Sequence, residues 1–264
     1  MSSEDLLFEV KDHIARITLN RPAQRNALTA DMRERLSEHL QQISDDPDIR
    51  IAIVTGAGGV FCAGADLKQR AASGGARAED SSPASVLAPD PNARWSTLKV
   101  AKPLIAAIDG YCLAGGMELA LACDIRICTP TAQFGLPEVI RGFFPGGGGP
   151  QRIMRAIPQS MAMELLLTGD RIDAEAALRS GLVSRMVAVE DLMPTVDKLA
   201  ARIAGHAPLA VRTVKEIAVN ALDQTLEQSL RFGDQLRWII GQTEDAKEGP
   251  RAFAEKRDPQ FKGR

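Results

Sequence analysis

Two glutamates and two glycine-rich turns are the residues of this chain best suited to chemistry. In "GYCLAGGMELALACD" (110–124), Glu118 sits inside an apolar run, three residues after Gly115. Twenty residues further, "TAQFGLPEVIRGFFPGGGGPQRIMR" (131–155) places Glu138 behind Pro137. Two carboxyls brought together in an apolar pocket cannot easily both be charged, so one keeps its proton and an acid stands beside a base. The turns offer a second kind of chemistry. "VTGAGGVFCAGADLK" (54–68) and the stretch around Gly115 each read as strand, glycine turn and helix start, with a short helix from about Ala65 in the first. The first N–H groups of a helix have no intrahelical acceptor and favour negative charge. Two such starts, brought together, would aim two donors at one oxygen and form an oxyanion hole.

Each feature alone also has a plainer reading. Gly115-Gly116 would equally serve close packing of a helix on a strand. Glu118 would favour its own helix start through the dipole, although a capping box would need Ser or Thr where Gly115 stands. Glu138 taken singly is an ordinary first-turn acid. Nucleotide motifs fail: GxGxxG from Gly56 meets Phe61, and the phosphate loop from Gly59 reaches Gly64 but continues Ala65-Asp66. The three histidines (His13, His39, His206) lie outside these motifs, and Cys62, Cys112, Cys123 and Cys128 show no CxxC spacing. The cysteines read as buried, reduced side chains, and no metal site is expected.

The elements that must position these groups alternate along the chain. "LLFEVKDHIARITLN" (6–20) reads as a hairpin turning at Lys11-Asp12, with Ile14, Ile17 and Leu19 in short strands. Thr29 caps a helix whose Met32, Leu36, Leu40 and Ile43 recur at helical spacing, ended by Asp46-Pro47. "IRIAIVTG" (49–56), "KPLIAAIDG" (102–110) and "CDIRICT" (123–129) are strands with helical runs between them, which indicates an α/β layered core. From about Pro208 only amphipathic helical periods remain. The expected division is a catalytic core over 1–205 and a helical region over 206–264 that buries its apolar faces on a neighbour. Residues 73–93 hold only Val86 and Leu87 as large apolar side chains and read as a surface loop serving a site.

The totals exclude several classes. A net charge of −2 gives no general pull toward nucleic acid or anionic membrane. No apolar run of about 18 residues exists, and the acidic "MSSEDLLFEV" start lacks the order of a signal peptide. A cytoplasmic protein is expected.

The four motifs in order, "ITLNRPAQRNALT" (17–29), "FCAGADLK", "KPLIAAIDGYCLAGGMELALACDIRI" and "EGPRAFAEKRDPQFKG" (248–263), resemble the crotonase superfamily, enoyl-CoA hydratases in particular, over nearly the whole chain. The resemblance implies a crotonase (ClpP-like) fold: a spiral core of repeated ββα turns and a C-terminal helical trimerisation region, assembled as a trimer or a dimer of trimers. It implies that the N–H groups of Ala65 and Gly115 hold the thioester oxygen of an acyl-CoA. Glu118 would then activate water and Glu138 would protonate the α-carbon, hydrating a 2-enoyl-CoA. Coenzyme A, part of the substrate and with no separate cofactor, would be gripped by backbone near Arg25 to Ala27 and by the Ala63–Leu67 turn, Asp66 included. Lys68 and a neighbouring subunit's Lys256 would meet its phosphates. Residues 251–264 hold five basic against two acidic side chains, in keeping with an anionic partner. Phe143 and Phe144 would reshape the acyl pocket, which residues 71–98 also border, and Pro150 would open a helix. An enoyl-CoA isomerase or a specialised hydroxyacyl-CoA dehydratase is the sibling alternative. A non-catalytic acyl-CoA- or RNA-binding member is the alternative of another class, disfavoured by the intact acid pair and the near-neutral charge.

Overall fold

A computed structural model describes residues 4–72 and 100–264; the loop expected over 73–93 and the segment 73–98 lie outside the described residues. The chain opens with the antiparallel pair β1 (Leu6–Lys11) and β2 (Ile14–Leu19), joined by Asp12 and His13. The turn falls one residue later than the sequence suggests, because Lys11 still pairs with Ile14 and both connecting residues take positive φ, as a tight hairpin turn demands. Thr29 Oγ1 accepts the Met32 N–H at 3.1 Å and starts α1 (Ala30–Asp45), whose Met32, Leu36, Leu40 and Ile43 are all buried.

Next come β3 (Ile51–Gly56), α2 (Leu67–Ala72), β4 (Leu104–Ile108), β5 (Tyr111–Leu113), α3 (Gly115–Ala122), β6 (Ile125–Cys128) and β7 (Gln133–Gly135). A 3-10 helix, Pro137–Arg141, precedes α4 (Gly149–Ala156) and α5 (Gln159–Thr168). The core closes with β8 (Arg171–Asp173), α6 (Ala174–Arg179), β9 (Arg185–Met186) and α7 (Leu192–Ala204). The six-stranded sheet runs β1-β2-β3-β4-β6-β9, parallel except at β1. A parallel sheet needs cover on both faces, and this one has it. Ile51, Ile53, Ile105 and Ala107 pack under Leu192, Val196 and Ala200 of α7, while Ala52, Val54 and Ala106 face the main core with α1.

The second sheet, β5-β7-β8, is smaller and decides where the site lies. Cys112 of β5 pairs with Phe134 of β7, and on its other side bridges to Cys62, which lies beyond β3. Three successive turns of the chain thus leave the large sheet, add one short strand or bridge to the small one at the same level, and enter a helix. That is the expected ββα repetition.

Beyond Gly205 the chain is helical: α8 (Pro208–Asn220), α9 (Leu226–Gly241) and α10 (Glu244–Glu255). Lys215 ties α8 to the core through the Lys102 carbonyl and Asp124, and Arg50 donates to the Phe261 carbonyl in the tail. Val214, Leu222, Leu226, Leu230, Trp238 and Phe253 nevertheless stay exposed in the single chain. No helix among the described residues is long and apolar enough to cross a membrane. All four cysteines are buried free thiols.

Candidate active site

The common level of the small sheet carries three functional groups to one edge. Ala65 lies three residues after Cys62, Gly115 three after Cys112, and Glu138 four after Phe134. The orientation of the Ala65 amide is set by its neighbours. The Leu28 N–H donates to the Gly64 carbonyl at 2.7 Å and the Asp66 N–H to the Leu28 carbonyl at 3.0 Å. Successive amides of an extended segment point to opposite sides, so the Ala65 N–H is directed away from Leu28. The Gly115 segment lies on that side: a Cβ built on Gly115 would stand 3.9 Å from the Ala65 nitrogen. Among the described residues neither amide has a hydrogen-bond acceptor.

The adjacent glycines divide the two readings of their motif between them. A Cβ on Gly116 would fall 2.4 Å from the Cys62 carbonyl oxygen, so that glycine serves packing of α3 on the Cys62 segment. At Gly115 the nearest atom would be 3.7 Å away, and the residue opens on a cavity. Ala114 before it takes φ 51° and ψ −127°, a conformation that costs a non-glycine residue about 1–3 kcal/mol. Its N–H is held by the Gly135 carbonyl at 2.9 Å, which fixes the turn.

Glu118 is 4% exposed, and its Oε1 accepts two backbone N–H groups, from Gly147 at 2.6 Å and Gly149 at 2.9 Å. Gly149 must lack a side chain for this: a Cβ there would lie 3.0 Å from Oε1 and 2.9 Å from Pro145 Cβ. Burial raises the Glu118 pKa, against the pull of the Gly149 and Gly147 amides and of Arg152. Glu138 is different. It stands in the 3-10 helix, half-buried, and its Oε2 is enclosed with no hydrogen-bond partner among the described residues. Burial, with a smaller contribution from Glu118, pushes its pKa up to about 7, opposed by its own backbone N–H. The two carboxyls are therefore unequal. Glu118 has amides that stabilise the charge, and Glu138 has every reason to keep a proton.

A cavity of about 830 Å³ brings these groups together, bordered by Ala63, Ala65, Gly115, Glu118 and Glu138. Arg25, Leu67 and Phe143, also singled out from the sequence, border it as well. Ala27, Asp66, Lys68 and Lys256 do not. The Ala27 N–H donates to the Gln24 carbonyl and its own carbonyl accepts from Arg21 at 2.7 Å, so its polar groups are spent inside the loop. The Asp66 carboxylate meets Arg21 at 3.1 Å and accepts the Gln69 N–H at the start of α2. Lys256 caps α10 with φ 52°, away from this chain's cavity. Pro150 falls at the second residue of α4 rather than the first.

Sequence reasoning missed several contributors. Asn26, fully buried with φ 54°, accepts the Arg21 N–H and donates to the Ala57 and Val60 carbonyls, locking the Arg25 loop onto the β3 turn. Gly147 and Gly149 hold Glu118, and Arg33, Arg141 and Arg171 line the cavity. The buried left-handed Asn had a faint signal in its type; the arginines had none.

Comparisons with known proteins agree along the whole chain. The family model described as enoyl-CoA hydratase/isomerase matches residues 9–264. The chain is 42% identical to an (E)-benzylidenesuccinyl-CoA hydratase of Thauera aromatica, over 97% of this chain and 98% of that protein. It is 41% identical to a probable enoyl-CoA hydratase of Mycobacterium tuberculosis, over 99% of each. The crystal structure of an enoyl-CoA hydratase from Mycobacterium tuberculosis H37Rv superposes with a TM-score of 0.89 at 38% identity, covering 99% of this chain and all of that one. The expected crotonase fold is the fold found.

Proposed function

Because the chain belongs to the enoyl-CoA hydratase/isomerase family, we propose that it adds water across a 2-enoyl-CoA with Glu118 as base and Glu138 as acid. That it is an enoyl-CoA hydratase rests on full-length relatives at about 40% identity. The assignment of roles rests on one observation: two amides without acceptors and two carboxyls of unequal proton affinity open on one cavity.

In this reading the thioester oxygen lies against the Ala65 and Gly115 N–H groups, with the double bond between the two acids. Glu118 takes a proton from water while the water oxygen bonds to the β-carbon. The π electrons move toward the α-carbon and the thioester oxygen, where the two amides stabilise the enolate. Loss of one such donor typically costs about 2.7–4 kcal/mol. Glu138 then gives its proton to the α-carbon, producing a 3-hydroxyacyl-CoA. Glu118 ends protonated and Glu138 charged, and exchange with solvent resets them. No group beyond these side chains and amides takes part. The four buried thiols suit a reducing compartment, and we place the enzyme in the cytoplasm.

We also assign the exposed apolar residues of α8 to α10 to contacts between copies, in a trimer or a dimer of trimers, with Lys256 offered to a neighbour's coenzyme A. The test of the chemistry is direct: crotonyl-CoA loses its conjugated absorbance on mixing with the protein. Glu118→Gln and Glu138→Gln each lower that rate by orders of magnitude while circular dichroism is unchanged. Normal turnover in both variants would refute the mechanism.

A further inference from the structure

Four arginines border the cavity, Arg25, Arg33, Arg141 and Arg171, against the acids Glu118 and Glu138. With Glu138 inclined to hold its proton, the wall is cationic. Arg25 and Arg171 are both drawn onto the Tyr111 ring, at 5.1 and 5.3 Å from its centroid, at the start of β5. Arg141 stands elsewhere. It ends the 3-10 helix that begins with Pro137 and Glu138. Three residues make one turn of such a helix, so positions 138 and 141 share a face, with their Cα atoms about 6 Å apart along the axis. Ile140, Phe143 and Phe144 border the cavity beside it. Among the described residues the Arg141 guanidinium has no hydrogen-bond or ion-pair partner, and it is not among the groups acting on Glu138.

A thioester with its oxygen on the Ala65 and Gly115 amides puts its second and third carbons between the acids. Ile140, Arg141 and Phe143 border the same cavity just beyond Glu138 in the chain, where room is left for the rest of an acyl chain. From this we infer that the acyl chain accepted here carries a carboxylate beyond the reacting carbons, and that Arg141 receives it. The inference rests on the hydratase reading and narrows it to a substrate class. A guanidinium fork matches a carboxylate with two parallel N–H bonds. Arg141 is exposed, as are Ile140 and Phe143, so the pair would form at the solvent-facing mouth of the cavity and draw its specificity from the fork geometry.

The test compares acyl-CoAs that differ only at the far end, so that coenzyme A contributes equally to both. Glutaryl-CoA and adipyl-CoA are titrated calorimetrically against pentanoyl-CoA and hexanoyl-CoA, and the corresponding 2-enoyl thioesters are compared as substrates. Wild type is expected to favour the carboxylated member of a pair by about threefold to fivefold, the worth of a well-formed exposed ion pair. Arg141→Gln brings that ratio to about one, Arg141→Lys keeps part of it, and Arg141→Glu takes it below one. A wild-type ratio near one overturns the inference. So does an unchanged ratio in Arg141→Gln with both members weakened alike, the pattern of a phosphate contact or a structural role. Should no enoyl-CoA be hydrated at all, the reaction assignment fails, while the binding ratio still decides the question of Arg141.

Discussion

Replacing Glu138 by Gln should make the protein more stable while it removes activity, and the pH at which this happens is set by the burial of one oxygen. Glu138 Oε2 is enclosed without a partner, and burial raises the pKa from an ordinary 4.5 to about 7. In the unfolded chain the carboxyl gives up its proton near 4.5; in the folded protein it holds on until about 7. Between these values the folded state binds more protons than the unfolded one, so stability falls as pH rises through the window and levels off above it. At about 1.36 kcal/mol for each tenfold in proton affinity, the ceiling is about 3.4 kcal/mol. Glu138 is only half-buried, and solvent screening reduces this to about 1–2 kcal/mol. Glutamine keeps the shape of the neutral acid and never charges. The two proteins should therefore unfold at nearly the same urea concentration at pH 4, and the variant should become the more stable between pH 4.5 and 7. At pH 8 its advantage should be about 1–2 kcal/mol. Urea unfolding followed by circular dichroism at pH 4, 6 and 8 measures it. A variant less stable than wild type at pH 8, or a difference that does not change with pH, would show that burial does not hold this acid neutral. In the proposed mechanism the same substitution removes the proton meant for the α-carbon, an exchange of stability for function common at active sites.

Two other parts of the structure make outcomes of their own. Gly149→Ala places a Cβ 3.0 Å from Glu118 Oε1 and should lengthen the amide contacts that stabilise its charge. The Glu118 pKa then rises further, so the acidic limb of the kcat/KM profile for crotonyl-CoA moves to higher pH; an unmoved limb would detach those amides from catalysis. Trp238→Asp alters a side chain 71% exposed in the single chain, where a substitution is ordinarily tolerated. If α9 lies between copies, light scattering should show the assembly falling to single chains, whereas an unchanged mass would remove this face from the interface.

Much of the scaffold was legible because its signals are local. The α1 helix declares itself through Thr29 and the spacing of Met32, Leu36, Leu40 and Ile43, and β3, β4 and β6 are apolar runs bounded by turns. The strands β5, β7, β8 and β9 hold two or three residues each, too few for alternation to be read, although three of them build the sheet that orients the site. The roles of Gly115 and Gly116 were undecidable along the chain, because only the position of Cys62 separates the packed glycine from the open one. Glu118 and Glu138 were visible as acids in apolar company. That the pair would be unequal followed from two acids sharing a pocket. Which one is steadied as the charged form was not readable from the residues alone, since the amides on Glu118 come from Gly147 and Gly149, 29 and 31 residues beyond it. Asp66 shows another limit of the sequence: its carboxylate is engaged by Arg21 and the Gln69 amide, a fastening of the turn that distant residues decide.

The three turns of the spiral deliver different chemistry because the residues just past each short strand differ. After Cys62 and after Cys112 the chain reaches Ala65, in an extended bridge, and Gly115, at a helix start, small residues whose N–H groups have no acceptor among the described residues, and the product is a pair of donors. After Phe134 the third turn begins its helix with Pro137, which has no N–H to offer. That turn cannot add a third amide donor at its first helical residue; it supplies the carboxyl of Glu138 instead. The turn also ends early, in a left-handed Gly142 after five residues, so the glycine-rich 146–149 segment can swing back and place its amides on Glu118. In the proposed reaction, donors on two turns and an acid on the third would fix a direction across the cavity, from the oxygen that gains charge to the carbon that gains a proton. A proline at residue 65 or 115 would remove one donor and leave the acids in place. The opposite change, opening the third turn with a residue that has an N–H, would add a donor beside Glu138, and the carboxyl pKa would drop if that amide reached it.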